Sequence, residues 1–132
     1  MAPKNGLVPL KSNLDPRQTQ AKEFQMVAVF EYLIGNTDWS VQFRQNIKLL
    51  NECGSQLPFA VPYDFDHAGI VSAPYANPPE GLGMKSVLER RYRGFCVDNL
   101  DDFIPTINHF KALKQEIYEL YSNMPLLEKG LP

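Results

Sequence analysis

The sequence predicts an α+β fold, and three observations carry that prediction. An apolar stripe with helical period follows Asp15-Pro16. Two short apolar runs, 46–50 and 57–63, are separated by a polar turn. A second helical stripe fills the last part of the chain. Together they describe two main helices packed with a short β-hairpin and a long Pro/Gly-rich loop. The 132 residues suit one domain, read as an extended arm over 1–15 and a core over 16–132.

Taken in order, Pro3, Gly6, Pro9 and Asn13 punctuate an arm that reads as extended, with room for one edge-strand pairing. Asp15-Pro16 is an N-cap followed by a proline in the first turn. Ala21, Phe24, Val27, Ala28, Phe30, Leu33 and Ile34 then mark one wide buried face, so a helix is expected over 16–34. Gly35-Asn36 stops it. Residues 36–45 form a polar loop with Trp39 and Phe43 as apolar pegs. A hairpin is expected over 46–63, and Pro58 and Pro62 put its second strand at a sheet edge. Residues 67–83, rich in Gly, Pro, Ala and Asn, read as a long loop. Ser86–Tyr92 reads as a short helix. Asp98 caps a further helical start, and Pro105 is expected to kink or divide it. Ile107, Phe110, Leu113, Ile117, Leu120 and Tyr121 continue the stripe as a helix over 106–122, expected to pack beside the first.

Composition narrows the function. Hydrophobic residues are 44% and charged residues 21%, a globular balance. A net charge of -2 and a pI of about 5.6 leave no basic footprint for nucleic acid. No apolar run approaches a membrane span, and the first residues lack the apolar core of a signal peptide, which gives a cytoplasmic default. Cys53 and Cys96 are too few for a disulfide scaffold and read as ordinary thiols, with a single bridge left open.

Chemistry concentrates between Gly35 and Gly69. Asn36, Asp38, Ser40 and Asn46 lie on the loop; Asp64, Asp66 and His67 lie where the hairpin ends. Carboxylates and amide carbonyls are hard oxygen ligands suited to magnesium or manganese bound together with phosphates. Asp64 and Asp66 sit at the end of an apolar strand. Beside them, His67 reads as solvated or hydrogen-bonded rather than as a ligand. The run Glu89-Arg90-Arg91-Tyr92-Arg93 reads as a solvated face with local ion pairs rather than a phosphate site.

Gly35-Asn36-Thr37-Asp38 after a helix, an Asn opening a hairpin, and Tyr63-Asp64-Phe65-Asp66 at its end resemble the catalytic C-lobe of atypical kinases. The nearest relatives are the HipA-type and CotH-type kinases and the phosphatidylinositol-kinase-like group. The resemblance covers the middle half of the chain. It implies that Asp38 is the catalytic base and that Asn46 and Asp64, with Asp66 beside it, serve a Mg or Mn ion that would accompany ATP. The chain departs from the pattern in three ways. Asn46 lies further from Asp38 than the spacing of about five in kinases. Trp39 replaces the usual basic residue after the Asp. No G-x-G-x-x-G or lysine-bearing strand precedes the first helix, so a protein partner or a missing N-terminal lobe would have to complete an ATP clamp.

Two other readings of the same residues stand beside this one. A non-enzymatic, degenerate kinase-like module would bind a protein through 67–83, and a metal-dependent phosphoesterase would use the carboxylates without ATP.

Overall fold

The computed structural model describes residues 6–125. It is α+β, and the chain divides after Cys96 into two compact units.

In the first unit, the arm forms β1 (Leu7–Leu10), followed by α1 (Ala21–Ile34), β2 (Ile47–Glu52) and β3 (Phe59–Pro62). The three strands make an antiparallel sheet in the order β1-β2-β3, so the expected hairpin is present and the arm supplies its second edge. Leu10 pairs with Leu49 in one ladder, and Leu49 with Ala60 in the other. Period-2 alternation turns Ile47, Leu49 and Ala60 inward, where they join Phe24, Val27 and Ala28 of α1 and the loop residues Trp39 and Val41 in one core. Lys48, between Ile47 and Leu49, faces out.

The expected helix over 16–34 begins later than its stripe suggests. Asp15 does cap a turn: its carboxylate accepts from Arg17 N at 2.8 Å, and Gln18 Oε1 accepts from Asp15 N at 3.0 Å. That turn, Pro16–Gln18, is a 3-10 turn. The chain then leaves helical geometry because Gln20 N donates to Pro58 O at 2.8 Å, outside the helix. Its amide also reaches Leu57 O at 2.9 Å. Tertiary bonds to the β2–β3 connection therefore reset the start at Ala21. The stop at Gly35 is as expected. Gly35 is left-handed at φ +72°, with Asn36 N bonded to Glu31 O at 2.8 Å and Gly35 N to Tyr32 O at 3.2 Å, a Schellman closure.

The short helix expected over Ser86–Tyr92 does not form. Ser86 Oγ accepts from Leu88 N at 3.1 Å and Glu89 Oε1 accepts from Lys85 N at 2.9 Å, the bonds of a helix start, but the chain closes only one turn, Glu89 N to Ser86 O at 3.2 Å. Cys53 and Cys96 are exposed and unbridged.

In the second unit, Asn99 rather than Asp98 supplies the cap, its Oδ1 accepting from Asp101 N at 3.0 Å. A 3-10 turn, Leu100–Phe103, leads into α2 (Ile104–Ala112), with α3 (Lys114–Ser122) after it. Pro105 does not divide the helix. It sits in the first turn of α2, where a missing N–H costs no intrahelical bond. The interruption falls instead at Leu113, whose ψ of -4° breaks the regular helix; nothing in the sequence marks it. Among the described residues no helix is long and apolar enough to cross a membrane.

Candidate functional site

The site is built on the loop that leaves α1. Asn36, Thr37 and Trp39 turn inward and are buried, which leaves Asp38 as the half-buried polar side chain between them. Asn36 Oδ1 accepts from Asp38 N at 3.0 Å and fixes this turn from within.

Eight positions separate Asp38 from Asn46, and the structure closes that distance. Ser40 and Gln45 form a β-bridge with reciprocal backbone bonds of 2.9 Å, so the residues between them fold out as a small loop. Arg44 and Asn46 adopt left-handed φ values of 51° to complete the reversal. Asn46 Nδ2 then donates to Asp38 O at 2.7 Å and to Asp38 Oδ2 at 2.9 Å. Gln45 Nε2 donates to the other carboxylate oxygen, Oδ1. Because both partners of Nδ2 can only accept, the orientation of the amide is determined. Asn46 Oδ1 lies at the other end of the amide from Asp38.

Asn46 also anchors the far side of the site. Its carbonyl accepts from Tyr63 N at 3.0 Å, which places Asp64 one residue beyond β3's last rung. Asp64 is exposed and left-handed at φ +60°, so the extended backbone of β3 ends before it reaches Asp64 and Asp66. Asp66 accepts a hydrogen bond from the Tyr75 hydroxyl at 3.1 Å. That bond, then the charge of Asp66, with lesser contributions from burial and from Asp64, raises the pKa of the Tyr75 phenol. His67 has its Nδ1 3.3 Å from Asn77 O. The structure thus joins Asp38 directly to Asn46, and gathers Asp64 and Asp66 around Tyr75. Among the described residues no group of three or more His, Cys, Asp and Glu side chains is placed to hold a metal ion. An amide oxygen and a carboxylate, with phosphate and water completing the shell, is a donor set that magnesium accepts.

The 67–83 segment is pinned to the end of α1. Gly69 N donates to Gly35 O and Ile70 N to Ile34 O, both at 3.0 Å. A Cβ on Gly69 would run into the Val87 carbonyl oxygen, so only glycine fits this crossing.

Two participants escape a reading of the sequence. Arg93 Nη1 donates to Thr37 O and to Trp39 O, each at 2.6 Å, and its guanidinium carbon lies 5.9 Å from the Trp39 ring centre. Burial lowers its pKa, and the Asp38 charge acts in the opposite direction. The chain reaches this position by passing close over α1: a Cβ on Gly94 would meet Ala28 Cβ at 2.8 Å. Glu31 lies beneath the loop, 1% exposed, with both carboxyl oxygens lacking a hydrogen-bond partner, as does Asn36 Nδ2. Burial pushes Glu31 up from 4.5 to about 7, against an opposing pull from the Asn36 amide. That amide is near enough to act on the carboxyl without meeting hydrogen-bond geometry. A signal for Glu31 was present in the sequence, since it falls on the buried stripe one turn after Val27 and Ala28. Arg93 had none, because its partners lie more than fifty positions away.

An open groove of about 400 Å³ lies on the sheet, walled by Pro9, Phe43, Arg44, Lys48, Leu50 and Tyr63; Asp38, Asn46, Asp64 and Asp66 do not line it. Lys48 Nζ lies 5.0 Å from the Tyr63 ring centre. Comparison of the chain with protein-family models, with curated proteins and with solved structures returned no match.

Proposed function

We propose that this chain is a kinase-like catalytic core for magnesium-dependent phosphoryl transfer. The observation that carries the reading is the Asn46 amide bonded to both the carbonyl and the carboxylate of Asp38. It couples a base to a metal-facing oxygen despite the lengthened spacing. In this reading Asp38 takes the proton of an acceptor hydroxyl, whose oxygen forms a bond to the γ-phosphorus of ATP. The bond from that phosphorus to the β–γ bridging oxygen breaks, and ADP leaves with the electron pair. Asn46 Oδ1 and Asp64, with Asp66 two positions on, would hold a magnesium ion, which would neutralise phosphate charge. The groove of about 400 Å³, with Arg44 and Lys48 on its walls, has a volume and charge suited to a nucleotide. A partner or further lobe supplies the phosphate-covering half.

Thermal unfolding in millimolar magnesium and ATP tests the reading. A ligand that binds the folded state alone raises Tm, and Asn46→Ala should abolish the rise. An unchanged Tm in wild type at millimolar nucleotide refutes nucleotide binding by this chain alone. It would favour the second reading, an interaction module, for which Ile70, Val71 and Tyr75 offer apolar surface at 48%, 52% and 62% exposure.

A further inference from the structure

The two carbonyls that Arg93 grips bracket Asp38 in the chain. Thr37 O belongs to the peptide bond that enters Asp38, and Trp39 O lies just beyond it. One nitrogen holding both fixes the 37–38 peptide plane that enters Asp38 and the 39–40 plane one residue beyond it. Arg90 and Arg91, in the same basic run, are exposed, whereas Arg93 is half-buried against the buried Trp39 ring. A desolvated guanidinium is costly unless its surroundings return the cost. Here the return comes from two backbone carbonyls of the loop that carries Asp38 and from the Asp38 charge.

We propose that Arg93 is the positioning residue for Asp38: it grips the carbonyls that flank Asp38 and so aims the carboxylate into the site. The kinetic consequence rests on the phosphoryl-transfer reading; the positioning does not.

Spectroscopy of the full chain tests the positioning alone. In ¹H–¹⁵N spectra of wild type, the Arg93 Nη1 protons should resolve from those of Nη2 and exchange slowly with water. A single averaged Nη signal overturns the proposal. Trp39, the one tryptophan in the chain, reports on variants by its emission. Arg93→Met should shift that emission to the red and raise acrylamide quenching about twofold or more, because a freed loop admits water, with far-ultraviolet dichroism unchanged. Arg93→Lys, which keeps the charge and part of the bonding, should fall between. Wild-type emission and quenching in a folded Arg93→Met overturn the proposal. Where the Met variant fails to fold, the Lys variant and the wild-type spectra decide.

Turnover with magnesium and ATP tests the consequence. Arg93→Met should lose about 100-fold in kcat with KM for ATP within about threefold, the pattern of a misaimed base, and Arg93→Lys should recover about tenfold. An unchanged kcat in Arg93→Met overturns the proposal. A wild type without turnover refutes phosphoryl transfer by this chain alone instead, and the spectroscopic results still judge Arg93.

Discussion

Asn46 reaches back across eight positions to hold Asp38 at two atoms, the backbone carbonyl at 2.7 Å and the carboxylate at 2.9 Å. It does so from a left-handed backbone, φ +51°, that asparagine tolerates better than most residues. Two separate costs therefore attach to its replacement. Asn46→Ala loses both bonds, one to a charged group, and forces alanine into the left-handed region. It should destabilise the fold by about 2–4 kcal/mol in urea denaturation. Asn46→Gly loses the same bonds without the backbone strain and should be about 1 kcal/mol less damaging. Equal stability of the two variants would show that the left-handed conformation carries no weight here.

Glu31 makes stability depend on pH in an unusual direction. Its carboxyl titrates at about 7 in the folded chain, against an ordinary value of 4.5. The folded state therefore holds a proton that the unfolded state has released between those two values. The stabilisation is full below pH 4.5 and is lost as pH rises through 7, by at most about 3 kcal/mol. Glu31→Gln should remove this slope while keeping the shape of the side chain. Denaturation midpoints from pH 5 to 8 that fall equally in wild type and Glu31→Gln would sink the assignment.

Gly69 and Gly83 separate two reasons for glycine. A side chain at Gly69 meets the Val87 carbonyl oxygen, whereas one at Gly83 meets nothing within 4 Å and contends only with a φ of +65°. Gly83→Ala should cost about 1 kcal/mol. Gly69→Ala should cost more than about 2 kcal/mol, because backbone must move to make room. Calorimetric Tm values that rank the two in the opposite order contradict the crossing of the 67–83 segment over Gly35.

Asp66 should be detectable through Tyr75. Its hydrogen bond and charge lead the upward shift of the Tyr75 phenol. Asp66→Asn should therefore move that phenol back toward its ordinary value of 10.0. An NMR titration of the assigned Tyr75 ring reads this directly, and an unmoved titration would place Asp66 elsewhere.

Local chemistry made much of the fold legible. Gly35-Asn36 ended α1 where glycine geometry requires, the apolar run 46–50 marked β2, and Pro58 and Pro62 identified an edge strand. The failures have tertiary causes. Gln20 gave its N–H to Pro58 O, which no apolar stripe can announce. After one turn at Ser86–Glu89, Arg90 and Arg93 bond to the distant carbonyls of Leu33, Thr37 and Trp39. In the site, residue type and the kinase resemblance singled out Asp38 and Asn46, but neither the bond between them nor the bridge that shortens the loop was legible. The left-handed turn at Asp64 was not legible either. Arg93 was unreadable because its role is defined by carbonyls supplied from a distant segment.

The phase of the two β-ladders gives the prolines a further meaning. Cys53 N bonds to Gly6 O at 3.1 Å and Tyr63 N to Asn46 O at 3.0 Å. In antiparallel pairs the bonded and non-bonded positions alternate, so Pro9 and Pro62 both occupy positions whose nitrogens point away from β2. Each therefore removes a donor from the outer rim of the sheet. A second chain approaching either rim meets an interrupted row of N–H groups, which discourages edge-to-edge stacking of these short strands. The sheet is protected from self-association by the same residues that mark its edges.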